Sequence, residues 1–159
     1  MAHRAIVVDQ MKCNGCQICE IHCARVNEGR VWPGASRIRV FPFFPGLDIV
    51  VVCQQCENPP CAEICPTDAF YRDKETAAIL IDLEKCIGCG DCVQACPLGA
   101  IFFHPENEKV IKCDLCGGHP ECVKRCPENA LEYRMIPFDA AASPDEIARD
   151  IKKKLLLTE

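Results

Sequence analysis

The segment Cys86-Ile87-Gly88-Cys89-Gly90-Asp91-Cys92-Val93-Gln94-Ala95-Cys96-Pro97 spaces four thiols as C-x2-C-x2-C-x3-C-P. Three thiolates packed into seven residues can hold three irons of one iron–sulfur cubane. In two-cluster proteins the fourth thiolate of such a run ligates the neighbouring cluster. The run therefore makes a demand on the rest of the chain. A second run must accept Cys96 and return a ligand to Cys86, Cys89 and Cys92.

Three further runs are present. The first is Cys13-x2-Cys16-x2-Cys19-x3-Cys23, followed by Ala24 where the others have proline. The second, Cys53-x2-Cys56-x4-Cys61-x3-Cys65-Pro66, carries Pro59-Pro60 in its widened gap, and the fourth is Cys113-x2-Cys116-x5-Cys122-x3-Cys126-Pro127. Together they use all 16 cysteines. Four zinc sites would also use sixteen thiolates, but structural zinc takes two separated C-x2-C pairs, and three-plus-one spacing suits a cubane. Four [4Fe-4S] clusters are expected. If the second and third runs exchange ligands, and the first and fourth do likewise, the sets are Cys13, Cys16, Cys19 with Cys126; Cys113, Cys116, Cys122 with Cys23; Cys53, Cys56, Cys61 with Cys96; and Cys86, Cys89, Cys92 with Cys65. Pairing first with second and third with fourth is the alternative. Spacing leaves both open, because the stretch between Cys23 and Cys53 is long enough to reach either way.

Cysteine makes up about a tenth of the 159 residues, a level that marks either metal binding or a disulfide scaffold. Met1-Ala2-His3-Arg4 leads straight into Ala5-Ile6-Val7-Val8 with no apolar targeting core, which argues against a secreted, stapled protein and for a cytoplasmic one. No apolar run approaches the ~18 residues of a membrane span. A formal charge of −5 argues against nucleic acid. Aromatics are only 6%, so clusters are expected to replace part of the hydrophobic core. His3, His22, His104 and His119 are scattered, and no nucleophile–base grouping emerges. A cubane with four cysteine ligands has no open coordination site. The chain therefore reads as an electron carrier with no catalytic residues of its own.

The elements that must position these runs are short. Residues 5–9 read as a strand, as do 36–41 and 47–52, with a Pro-Gly turn at 42–46. Residues 67–72 and 78–82 form a hairpin between the second and third runs, and 100–103 with 109–112 another between the third and fourth. Residues 129–136 supply a closing strand. Arg25, Arg30, Arg37 and Arg39 make residues 24–52 locally basic, the pattern of a solvated face. Ser143-Pro144-Asp145-Glu146 is a capping box, and Ile147, Ile151 and Leu155 line one face of a helix over 144–157. The expected fold is α+β: two ferredoxin-like two-cluster modules with short β-hairpins and helices in residues 1–137, then a helical tail in 138–159.

The motifs C-x2-C-E-N-P-P-C-x3-C-P at Cys53 to Pro66 and C-I-G-C-G-x-C-x3-C-P at Cys86 to Pro97 resemble the four-cluster electron-transfer subunits of molybdenum and tungsten oxidoreductases, the dimethyl sulfoxide reductase and formate dehydrogenase group. The resemblance covers about residues 5 to 136. It implies pairing of the first run with the fourth and the second with the third, and it accommodates Ala24. The compact fourth run and short chain are most similar to the small iron–sulfur subunits of tungsten aldehyde oxidoreductases. The implied partners are a large molybdenum- or tungsten-bearing catalytic subunit and a flavin or other redox subunit, with self-association through the C-terminal helix as a further expectation. A free polyferredoxin, or a cluster-bearing maturation factor for hydrogenase or formate dehydrogenase, is the alternative. Because Pro59 and Pro60 remove two N–H donors, the Cys53 cluster is expected at lower potential than the Cys86 cluster.

Overall fold

The computed structural model describes residues 2–43 and 47–137, together with Asp145, Ala148 and Arg149, which are helical. Residues 44–46 at the expected turn, and most of the expected C-terminal helix, lie outside the described residues. Within residues 2–137 the described elements are eight strands and four α-helices, which alternate with the cysteine loops. In chain order they are β1 (Ala2–Val8), α1 (Ile18–Glu28), β2 (Ile38–Phe43), β3 (Leu47–Val52), α2 (Pro60–Glu63), β4 (Phe70–Arg72), β5 (Ile79–Ile81), α3 (Asp91–Ala95), β6 (Ile101–Phe103), β7 (Val110–Lys112), α4 (Glu121–Lys124) and β8 (Leu131–Pro137).

The strands form four separate antiparallel pairs. Three are local hairpins, β2–β3, β4–β5 and β6–β7. The fourth joins the two ends of the cluster-bearing chain: β1 runs against β8, with Val8 opposite Leu131 and Ala2 opposite Pro137. That pairing sets the first cysteine run, which follows β1, beside the fourth, which precedes β8. Helix α1 packs on α4 and α2 on α3, so each helix pair brings together the third cysteines of two runs, and α1 carries Cys23 as well.

Two apolar cores result. The larger holds Ile6, Ile38, Val40, Val50, Val52 and Leu115 against Cys19, Cys23, Cys113 and Cys122. Ile38 stands opposite Val52, and Val40 opposite Val50, so alternate residues of β2 and β3 put their branched side chains on one face. Each such burial contributes ~1.5–3 kcal/mol. The smaller core gathers Ile101 and Val110 around Cys61 and Cys92.

Helix α1 explains Ala24. It has 11 residues and continues through Cys23 to Glu28, where Gly29 ends it at φ 70°. Helices α2, α3 and α4 have only four or five residues and stop before the fourth cysteine of their run, so Pro66, Pro97 and Pro127 fall beyond a helix end. Ala24 sits fully buried inside a continuing helix, where proline would remove a hydrogen bond and clash with the preceding turn.

Three of the four arginines expected on a solvated face have partners. Arg37 Nη1 lies 3.3 Å from Glu28 Oε1. Arg30 pairs with Glu106 at 2.6 Å and stacks over Trp32, 4.0 Å from its ring centroid. Arg39 lies 4.5 Å from the Phe102 ring centroid and donates to the carbonyl oxygens of Gly34 and Ser36. The physical reason is the position of β6–β7 beside the α1–β2 connection: Phe102, His104 and Glu106 all face it. Buried His104 places Nε2 3.3 Å from Glu28 Oε2 and meets Trp32 edge-on. The basic stretch ties one half of the molecule to the other.

Candidate iron–sulfur centres

The cysteine loops use two backbone devices, the first in all four runs and the second in three. Two residues after the first cysteine of each run, the chain turns through the left-handed region: Gly15 at φ 73°, Gln55 at 53°, Gly88 at 73° and Leu115 at 59°. The turn aims an N–H back at sulfur, with Gln55 N 3.5 Å from Cys53 Sγ and Leu115 N 3.5 Å from Cys113 Sγ. Glycine reaches this conformation without strain. Gln55 and Leu115 are held there because their side chains are fully buried.

The second device follows the fourth cysteine. Ala69 N donates to Cys65 Sγ at 3.4 Å, Ala100 N to Cys96 Sγ at 3.3 Å and Ala130 N to Cys126 Sγ at 3.3 Å. The residue before each alanine is again left-handed, at Asp68, Gly99 and Asn129. The signal was present as the repeated C-P-x-x-A, which the spacing of the cysteines alone does not bring out. Cys23 lacks that loop. Its sulfur instead receives Arg37 N at 3.2 Å and the Asn27 side-chain amide at 3.7 Å.

The loops converge in space by fours. One pocket is lined by Cys13, Cys16, Cys19 and Cys126. A second is lined by Cys65, Cys86, Cys89 and Cys92. A third is lined by Cys53, Cys56, Cys61 and Cys96. The remaining four lie close enough for their charges to interact, Cys122 with Cys23, Cys116 and Cys113, and Cys116 with Cys23. Each group thus combines three cysteines of one run with the last cysteine of another, from the first and fourth runs or from the second and third.

Burial and mutual repulsion make thiolates costly here. Burial first, and then neighbouring charge, pushes the Cys19 and Cys61 thiols up to about 12 and Cys92 to about 11. Burial also pushes Cys113 and Cys122 well above the ordinary thiol value. Cys65 goes the other way: against a desolvation cost, the Ala69 N–H and Thr67 hold it below its ordinary value, which shows what N–H donors do for an anionic sulfur. Groups of four thiolates of this kind need a cationic occupant among them, and the irons of a cubane supply it. A buried ammonium points the same way. Lys112 is only 4% exposed, lines the Cys53 cavity, and has no carboxylate within 4 Å among the described residues. A cation so placed fits beside anionic clusters.

The family model of the 4Fe-4S dicluster domain matches residues 47–135. The chain belongs to that family. With sixteen cysteines in four groups, it carries four [4Fe-4S] clusters. The chain is 44% identical to the polyferredoxin-like subunit of an aliphatic sulfonate oxidoreductase of Pyrococcus furiosus, over 94% of this chain and 91% of the relative. It is 38% identical to the thiosulfate reductase electron transfer subunit of Salmonella typhi, over 68% of this chain and 59% of that one. A tetrathionate reductase subunit of Archaeoglobus fulgidus is 40% identical over 69% of this chain and 53% of its own length. This chain thus spans little more than half of those last two relatives. The fold is also that of a chain in the benzoyl coenzyme A reductase BamBC complex, at TM-score 0.53 and 24% identity over 99% of this chain and 91% of that one.

Two of the histidines are engaged away from the cysteines. His3 is buried, with Nε2 2.8 Å from the Gln54 carbonyl oxygen, and His104 belongs to the Glu28–Trp32 contact. Among the described residues no helix is long and apolar enough to cross a membrane.

Proposed function

We propose that the four groups ligate four clusters in these sets, which the grouping of the cysteines supports: Cys13, Cys16, Cys19 and Cys126; Cys113, Cys116, Cys122 and Cys23; Cys53, Cys56, Cys61 and Cys96; Cys86, Cys89, Cys92 and Cys65. The chain passes single electrons through them, as an iron–sulfur subunit of an oxidoreductase complex. The observation that carries this reading is the gradation of exposure. The Cys13 and Cys86 groups each present an exposed cysteine, Cys16 and Cys89, whereas the Cys53 and Cys113 groups have none. Two accessible ends and a covered middle suit a wire with a donor at one end and an acceptor at the other.

The partner in this reading is a large molybdenum- or tungsten-bearing catalytic subunit of the aldehyde oxidoreductase type, with a flavin-bearing or other redox subunit opposite. Support comes from the Pyrococcus furiosus relative, which matches over nearly its whole length and is named as a subunit of an oxidoreductase. The complex works in the cytoplasm. Anaerobic purification of the native protein tests this reading. Co-purification of a larger chain containing tungsten or molybdenum is expected. Emergence of the chain alone would overturn the subunit assignment in favour of a free polyferredoxin or maturation factor.

A further inference from the structure

The two modules meet at a small polar knot under the inner cysteine groups. Lys112 ends β7, immediately before Cys113, and is almost completely buried. Its ammonium donates to three neutral acceptors: the Ile79 carbonyl oxygen, the Cys113 carbonyl oxygen at 3.0 Å and Gln55 Oε1 at 3.3 Å. Gln55, itself fully buried, completes the knot. Its Oε1 accepts from Ile79 N at 2.8 Å, its Nε2 donates to the Cys113 carbonyl oxygen at 2.9 Å, and its backbone N–H points at Cys53 Sγ. One fixed positive charge therefore stands between the Cys53 group and the Cys113 group. An ammonium in such a place is strongly disfavoured without a compensating anion.

We infer that Lys112 is the potential-setting residue of the relay, its charge stabilising an added electron on the two inner clusters and making them the place where electrons rest. This inference depends on the ligand sets proposed above. One-electron reduction adds one negative charge to a cluster at the expense of one electron from its donor. A buried cation favours that added charge most at the nearest clusters, and little at the two outer ones. Lys112 also works against the lowering expected from the missing donors at Pro59 and Pro60. The result is a relay with accessible ends and a reducible interior.

The test is an EPR-monitored redox titration of the whole protein, poised with dithionite and ferricyanide, with iron and sulfide content measured on each sample. In Lys112→Gln, two of the four components are expected to shift to lower potential while the other two stay in place. Lys112→Arg, which keeps the charge, should retain the wild-type values. Lys74→Gln, which removes a solvent-exposed and therefore screened charge, should move none. If all four components of Lys112→Gln stay in place, or if Lys112→Arg shifts them as far as Lys112→Gln does, the inference is overturned. Should Lys112→Gln fail to load four clusters, Gln55→Glu decides. It sets a carboxylate beside the retained ammonium and should lower the same two components; unchanged potentials there would overturn the inference. Wild-type protein with fewer than four clusters' worth of iron and sulfide would instead refute the ligand sets.

Discussion

Gly88→Ala tests whether the cluster loops are held by backbone geometry as well as by their sulfurs. Gly88 has φ 73°, and a Cβ there would stand 2.8 Å from the Glu108 carbonyl oxygen, a backbone atom with no rotamer to escape into. Gly99 is the internal control: its φ is 59°, and a Cβ there meets nothing within 4 Å. Both substitutions force alanine into the left-handed region, at ~1–2 kcal/mol each. Only Gly88→Ala adds the steric contact, which must displace the β6–β7 turn, at ~1–2 kcal/mol more by the usual scale of local strain. If the strain is released as the cluster is lost, Gly99→Ala should accelerate loss ~5–30-fold and Gly88→Ala a further ~5–30-fold beyond it. The assay is the decay of cluster visible absorbance under anaerobic conditions in moderate denaturant, with iron release measured alongside. Equal rates for the two variants would refute the close approach of the third run to the β6–β7 turn.

Cys96→Ser should perturb the EPR signal of the cluster held by Cys53, Cys56 and Cys61, while Cys65→Ser should perturb that held by Cys86, Cys89 and Cys92; the reverse result would refute the exchange of ligands between these runs. Ala24→Pro, which gives the first run the proline the others have, should destabilise the protein by ~3 kcal/mol or more because it falls inside α1, whereas Pro97→Ala should cost under ~1 kcal/mol; chemical denaturation followed by circular dichroism measures both. The Thr76 hydroxyl, then its backbone N–H, holds Asp73 below its ordinary pKa at the β4–β5 turn. That support is present above the ordinary carboxylate pKa and lost as pH falls through the depressed one. Thr76→Val should therefore raise the Asp73 pKa toward the ordinary carboxylate value, as read from its carboxyl carbon shift by NMR, and an unmoved value would reject the hydroxyl as the cause.

The hairpins and the cysteine runs were legible because their signals are local. Residues 47–52 read as a strand and form β3, and the hairpins on either side of the third run fall where the turn residues place them. The β1–β8 pair was not legible as a pair. Both segments are rich in branched residues, but the choice of partner is made by side-chain contacts across nearly the whole chain. Lys112 was hidden for a different reason. In a half-buried strand one face of Val110–Lys112 would be exposed, and a terminal lysine would be assigned to solvent. All three residues of β7 are in fact buried, and β5 of the preceding hairpin packs against it, so the period-two rule loses its meaning there. Gln55 and Leu115 show the same limit at the level of the backbone. Neither residue type announces a left-handed turn, and only their packing makes the conformation tolerable.

Ala24 and the long cysteine-free stretch after it, which look like two irregularities of the first run, are one feature. In the other three runs the helix stops before the last cysteine, proline follows, and the C-P-x-x-A loop returns an N–H to sulfur. In the first run α1 continues past Cys23, so no such loop can form and the sulfur needs a donor from elsewhere. Arg37 N supplies it from the segment just before β2, and Asn27 adds a side-chain donor from the extra turns of α1. The same segment delivers Arg37 to Glu28 and Arg39 to Phe102, and so ties this sulfur's environment to the hairpin that follows the third run. Losing the proline and gaining the insertion therefore belong together. The inserted segment both replaces the missing hydrogen bond and ties the first run to the β6–β7 hairpin, while Gln55 and Lys112 tie the second run and β5 to the start of the fourth run.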